Sequence, residues 1–411
     1  MTNSASDLSD INRLLGAIDD VGRDRANGGW SRHLFDGAER ELRTWFTEEA
    51  GRRGLAVETD RNANLWAWWP EPGPDAVVTG SHLDSVPGGG PYDGPLGIAA
   101  AFAAVGRLRE RGFVPERPLA IVAFAEEEGT RFGLPCLGSG LMTGSINADL
   151  ARRARDSEGT TLADAVAAAG LAPSELGADP QTLGRIGRFV ELHVEQGRAL
   201  ADRDRPLAIA GSILGHGRWR FGFRGQGNHA GATGMDDRSD PALPAAELVL
   251  AARRIAKSVP GARATVGRLH PRPGGTNVIA SAVDAWLDAR AATDTQVRGL
   301  VEQISAAAEH AAAEEGCSLD VVEESFAEAV HLDSALSWRL GATIGDVPRL
   351  DSGAGHDAGV LCGHVPTAMM FVRNPTGVSH SPEEWAEPDD RAAGAAALAD
   401  VLAELAGPTE V

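Results

Sequence analysis

Gly80-Ser81-His82-Leu83-Asp84-Ser85-Val86-Pro87-Gly88-Gly89-Gly90-Pro91-Tyr92-Asp93-Gly94-Pro95-Leu96-Gly97 is the stretch on which the reading of this chain turns. An apolar run, Ala76 to Thr79, enters it and predicts a buried strand. An alanine-rich segment from Pro95 to about Arg111 leaves it as a helix, with Pro95 suited to the first turn and Asp93 or Gly94 near the cap. His82 therefore closes a strand, Asp93 opens a helix, and the glycines between them let the loop fold tightly. An imidazole and a carboxylate brought together in this way make half of a metal site. Asp84, two residues after His82, is placed to hold the ring's other nitrogen. A strand–turn–helix corner with a chance histidine is the alternative, less favoured reading of this stretch alone, and the flanking segments bear on the choice.

Upstream, residues 8 to about 50 are expected to be helical, with Leu8, Ile11, Leu14, Leu15 and Ile18 on one face. Leu55–Glu58, Asn64–Trp69 and Leu119–Ala125 read as further strands. Alternation with the 95–111 helix predicts an α/β fold, a sheet with helices on its faces. Ligands of such sheets lie beyond the carboxyl ends of the strands. The strand at 119–125 delivers Glu126, Glu127 and Glu128, three carboxylates that are costly at an apolar strand end without a cation or solvent. Neighbouring side chains diverge, so one can bind a metal while another faces a water molecule. After a polar helical stretch (150–186), the strand from Arg188 ends in His193-Val194-Glu195-Gln196. Near the C-terminus the apolar strand Ala368–Val372 leads to Arg373–Glu384, which offers His380. In Ser352-Gly353-Ala354-Gly355-His356-Asp357, His356 reads either as a polar contact or as a helix N-cap.

Residues 213–330 change character. Their order of strand, helix, strand, strand, helix, strand is that of a split βαβ unit, inserted into a larger domain made of residues 1–212 and 331–411. Trp219, Phe221 and Phe223 alternate with polar residues, as in a half-buried strand. Asn228–Thr233 (with His229), Gly274–Asn277 and Arg290, on the same strand face as Asp288, form a candidate substrate-facing set.

Composition sets bounds. The 411 residues suffice for two or three domains, and 43% hydrophobic with 23% charged residues is globular. A net charge of -20 excludes nucleic acid and anionic membrane surfaces as expected partners. Three dispersed cysteines (Cys136, Cys317, Cys362) suit reduced thiols. The N-terminus shows no basic region followed by an apolar core, and no apolar run approaches the ~20 residues of a membrane span. A cytoplasmic location is expected.

Taken together and in this order, these segments resemble the dinuclear metallo-amidohydrolases of the aminoacylase and carboxypeptidase type. The ureido-specific branch is the nearest in pattern: N-carbamoyl-L-amino-acid amidohydrolases, allantoate amidohydrolases and β-ureidopropionases. The resemblance covers nearly the whole chain. It implies a zinc-aminopeptidase-like catalytic domain with a mixed sheet flanked by helices, plus an inserted α+β (ferredoxin-like) dimerisation and lid domain. It implies two divalent metals (Zn, Mn, Co or Ni), one on His82, Asp93 and His193 and one on Asp93, Glu128 and His380. Glu127 corresponds to the general base and Asp84 to its orienting carboxylate. Gln196, His229, Asn277, Arg290 and the Gly355 turn match substrate positions, with His229 reaching into the partner's site of a homodimer. The implied reaction is hydrolysis of the ureido group of a small carboxylate; a peptidase, an aminoacylase or a metal-free binding relative are the alternatives. Two departures bear on the substrate. Gly234 stands in His229-Ala230-Gly231-Ala232-Thr233-Gly234-Met235 where that branch usually has proline, and His216 stands where a glutamine is common.

Overall fold

In the computed structural model, residues 5–407 are described, with side-chain surroundings from residue 10 onward. The side chain of Leu8 lies outside the described residues. The chain forms two compact units, Met1–Gly211 with His331–Val411, and Ser212–Val330.

The apolar runs become strands β1 (Ala56–Thr59), β2 (Leu65–Trp69), β3 (Ala76–His82), β4 (Leu119–Phe124), β5 (Ile186–Val194) and β6 (Leu207–Ile213). The second unit holds β7 (Gly215–Arg224), β8 (Asn228–His229), β9 (Arg263–Arg272), β10 (Val278–Ile279), β11 (Ala282–Ala291) and β12 (Ser318–Ala327). The chain returns through β13 (Val330–His331), β14 (Arg349–Ser352) and β15 (Thr367–Val372). The large sheet has nine strands in the order β1-β2-β4-β3-β5-β15-β6-β13, with β14 beside β6. It is mixed: β4, β3, β5 and β15 are mutually parallel neighbours, while β2 and β6 flank them antiparallel. Strands β2, β3, β4 and β15 are buried along their whole length, as expected of a parallel sheet covered on both faces. Helices Pro95–Glu110 and Pro388–Ala406 pack together and join the main core through Leu96, Phe102, Leu398 and Leu402.

Four strands lying parallel means that four chain ends converge on one edge. That edge receives His82, the 126–128 turn, His193 and the loop leading to His380.

The second unit is a four-stranded antiparallel sheet, β12-β7-β11-β9, with helices Ala242–Ser258 and Asp294–Glu314 packed on the side of Trp219, Phe221, Phe223, Ala285 and Leu287.

Two helical expectations are corrected. Residues 8–50 are not one helix but two, Ala5–Gly16 and Gly37–Arg52, separated by a looped segment. Gly22 and Gly28 take φ of 73° and 81° there, a left-handed conformation incompatible with helix. Buried Arg32 holds the segment by donating to the carbonyls of Ile18 and Val21 at 2.9 Å each. The 150–186 stretch contains only short helices, Ala148–Arg153, Leu162–Ala168 and Pro180–Leu183, interrupted by Gly159, Gly170 and Gly177 at positive φ.

Candidate metal centre

Asp93 is the pivot of the convergent edge. Its Oδ1 lies 3.6 Å from His82 Nε2 and 3.2 Å from His193 Nε2. Its Oδ2 faces His380 Nε2 at 3.4 Å, and His380 Nε2 lies 3.5 Å from Glu128 Oε1. One carboxylate thus serves two trios, the buried His82–Asp93–His193 and the more open Asp93–Glu128–His380, each with its donor atoms within 4.8 Å of one another. The local sequence explains the approach. Gly94 at φ 84° begins the helix, and a Cβ there would lie 2.5 Å from the His82 ring, so only glycine lets Asp93 come this close.

The donors are set for a cation. His82 Nδ1 is 3.0 Å from the carbonyl of Asp84, and His193 Nδ1 is 2.9 Å from that of Val194. If those nitrogens carry the ring hydrogens, both Nε2 lone pairs face the centre. His193 Nε2 and Glu128 Oε1 are buried without a hydrogen-bond partner, which is costly unless something positive sits between them. Burial, and then the charge of Asp93, pushes the Glu128 carboxyl up to about 7. Burial raises Glu127 well above the ordinary carboxylate range, with Asp357, Glu128 and Asp84 adding to it against the opposing pull of His82. A cluster of carboxylates this short of positive charge, with nitrogen and oxygen donors and no thiolate among the trios, suits a divalent metal. The residues present fit such an ion.

Asp84 does more than sit beside a ring. Its carboxylate is 3.5 Å from His82 Nδ1, further than its own carbonyl. The two oxygens accept the backbone N–H groups of Glu127 and Glu128, at 3.1 and 3.0 Å. The end of β3 is thereby tied to the turn after β4. Glu127 is buried, and its Oε2 is 3.8 Å from His82 Nε2.

Several supporting groups had no role in the sequence reading. Glu384 Oε1 accepts the N–H groups of Tyr92 and Asp93, and Ser379 donates to both Asp93 Oδ2 and Glu384 Oε2. Gln196, expected on substrate, donates to Asp93 Oδ2 at 2.8 Å. His356 stands at the N-cap position of the short helix Asp357–Leu361, but its side chain caps nothing. Its Nε2 meets Ser352 Oγ at 2.8 Å and its ring packs 4.6 Å from that of His193. Glu191 accepts from Ser81 Oγ and from the N–H of Ala358, and Asp357 accepts from Ser139. The only local hint of these roles was polarity inside apolar or glycine-rich runs. Gly355 is exposed in the loop just before His356.

His229, Asn277 and Arg290 all lie in the second unit. The short ribbon of β8 and β10 sets His229 opposite Val278 and so beside Asn277. His229 is exposed, and its Nδ1 accepts the N–H of Gly231, leaving Nε2 as the donor of a neutral ring. Arg290 faces His216 across β7 and β11 and is held by Asp288 through contacts of 2.8 and 3.1 Å. Burial and then the Arg290 charge push the His216 imidazole down.

Comparison with known proteins adds lineage to this geometry. The pattern of Peptidase family M20/M25/M40 matches residues 78–404. An N-carbamoyl-L-amino acid amidohydrolase of Geobacillus stearothermophilus is 37% identical over 396 residues, covering 95% of this chain and 96% of that one. An allantoate amidohydrolase of Bacillus subtilis is 32% identical, covering 93% and 94%. Among solved structures, an amidase of the hydantoinase/carbamoylase family from Burkholderia multivorans is similar with a TM-score of 0.88 at 28% identity, covering 97% and 98%.

Proposed function

Because the chain belongs to Peptidase family M20/M25/M40, we propose that it hydrolyses the terminal ureido C–N bond of a small carboxylate. An N-carbamoyl-L-amino acid or allantoate is the expected substrate, and ammonia and carbon dioxide the expected products. The observation that carries this reading is Asp93 shared between two trios of nitrogen and oxygen donors, with the buried Glu127 carboxylate beside them. Relatives named for ureido substrates and aligned over almost the full chain supply the substrate class.

Two divalent cations, one held by His82, Asp93 and His193 and the other by Asp93, Glu128 and His380, would supply Lewis acidity and an acidified water. Glu127 accepts the proton of the attacking water as its oxygen adds to the carbamoyl carbon, and delivers that proton to the departing nitrogen. The carbamate left behind releases carbon dioxide. Asp84 keeps Glu127 and Glu128 in place through their backbone N–H groups. His229, through its Nε2–H, would stabilise the tetrahedral oxyanion, worth about 3 kcal/mol for such a donor. Arg290, oriented by Asp288, would bind the substrate carboxylate in the bidentate manner of guanidinium. Gln196, Asn277 and the Gly355 turn complete the proposed substrate contacts.

A homodimer is part of this proposal. Arg290 faces His216 near the start of β7, whereas His229 follows its far end, five residues beyond Arg224. At about 3.3 Å per residue, the eight steps from His216 to Arg224 alone span roughly 26 Å. His229 sits on the separate two-stranded ribbon of β8 and β10 beyond that end, and groups that far apart cannot both touch one small substrate, so one of them would act from a second copy.

The test is ammonia release from a panel of N-carbamoyl amino acids, allantoate and β-ureidopropionate, with added manganese or zinc. Metal-dependent release from at least one is expected. Cleavage of acylated or peptide substrates with no ureido turnover would overturn the reading.

A further inference from the structure

Cys136 lies across the turn that carries Glu127. Three successive N–H groups bind that turn: Cys136 to Glu127 O at 2.7 Å, Leu137 to Glu126 O at 3.1 Å and Gly138 to Ala125 O at 2.8 Å. Cys136 itself takes φ 51°, uncommon for a residue with a Cβ, and precedes helix Leu137–Thr143. That backbone brings its thiol to 3.5 Å from Glu127 Oε1, within reach of an S–H donor. The other two thiols donate to main-chain carbonyls, Cys317 to Glu315 and Cys362 to His331. Glu127 therefore has its two oxygens divided: Oε2 is turned toward His82 and the trios, and Oε1 is turned toward a sulfur.

We propose that Cys136 is a positioning residue, whose thiol holds Glu127 in the rotamer that presents Oε2 to the reacting water. The inference rests on Glu127 being the general base. Among the described residues the thiol is the one hydrogen-bond donor to the Glu127 carboxylate. A carboxylate with one oxygen anchored samples fewer rotamers, and a base must lie within hydrogen-bond reach of the proton it takes. The thiol forms no bond to substrate and transfers no atom. The thiol is a weak donor, so it orients the Glu127 carboxylate with little loss of its basicity.

Cys136→Ala should lower kcat about fivefold, the scale of one ordinary hydrogen bond, while KM and metal content stay within about twofold. Cys136→Ser, which restores a donor, should recover most of the loss. In the Glu127→Gln background, Cys136→Ala should cause no additional fall, since no base remains to be positioned. An S–H infrared band, identified by its loss in Cys136→Ala, should move to higher frequency in Glu127→Gln as the acceptor weakens. Unchanged kcat in Cys136→Ala, an equal loss in Cys136→Ser, or an S–H band indifferent to Glu127→Gln would overturn the proposal. Near-normal kcat in Glu127→Gln would instead overturn the reading of Glu127 as the base, and the positioning role with it.

Discussion

Replacing Gly94 with alanine should unseat His82 without altering any group that could bind metal. The new Cβ would lie 2.5 Å from His82 Nδ1 and Cε1 and 2.7 Å from Nε2. An ordinary contact is about 3.5 Å, so the ring or the loop must move by about 1 Å. The ring has no slack to give, since His82 is fully buried, held at Asp84 O by 3.0 Å and facing Asp93 at 3.6 Å. Displacements of that size at a reacting centre cost about 100-fold in rate. The φ of 84° adds a backbone penalty of about 1 kcal/mol for any residue with a Cβ. Gly112 separates the two effects: its φ is 71°, and a Cβ there meets nothing within 4 Å. Gly112→Ala should therefore lose only the backbone share of stability and keep full metal content and kcat. Gly94→Ala should lose at least half of the bound metal by elemental analysis and at least about 100-fold in kcat/KM. Calorimetry of both variants checks that each still unfolds cooperatively. If Gly94→Ala held the wild-type complement of metal and turned over normally, the tight approach of His82 and Asp93 would not be what builds the centre.

Glu127→Gln should retain its metals while kcat falls at least about 100-fold, the scale of a general base; a metal-loaded variant with normal turnover would refute the assignment. His82→Ala and His380→Ala should each lower metal content, and because His82 is buried while His380 is about half exposed, only His82→Ala should also lower Tm markedly. At low pH the first helices should fail through Glu49. Burial would raise its carboxyl, but hydrogen bonds from Arg13 and Arg53 outweigh this and hold it at about 2 against an ordinary 4.5. A group whose pKa is lowered by folding contributes stability that is present above pH 4.5 and lost as pH falls toward 2, here about 2–3 kcal/mol. Tm followed over that range should show a steeper fall for wild type than for Glu49→Gln. Light scattering at micromolar concentration should give a dimer, and mixing inactive His229→Ala with inactive Arg290→Ala chains should restore part of the activity if the two act from different copies.

What the sequence determined by itself was local: which residues stand at strand ends and helix starts. His82, Asp93, the 126–128 carboxylates, His193 and His380 were all legible there, because an apolar run followed by glycine and a polar donor is written in consecutive residues. The order β4-β3-β5-β15, which brings these ends to one edge, depends on pairings between distant segments, such as β5 with β15, where Phe189 pairs with Thr367. Only the tertiary structure could show that Glu384 holds the backbone of Asp93 from 291 residues away, that Gln196 bonds Asp93, or that His356 packs on His193. The long first helix failed for the opposite reason. Its apolar periodicity ran into Gly22 and Gly28, whose left-handed turns are stabilised by Arg32 reaching back to Ile18 and Val21. Periodicity reports which face of a segment is buried; where the segment bends depends on side chains that bond across the bend, and these are decided only when the chain is folded.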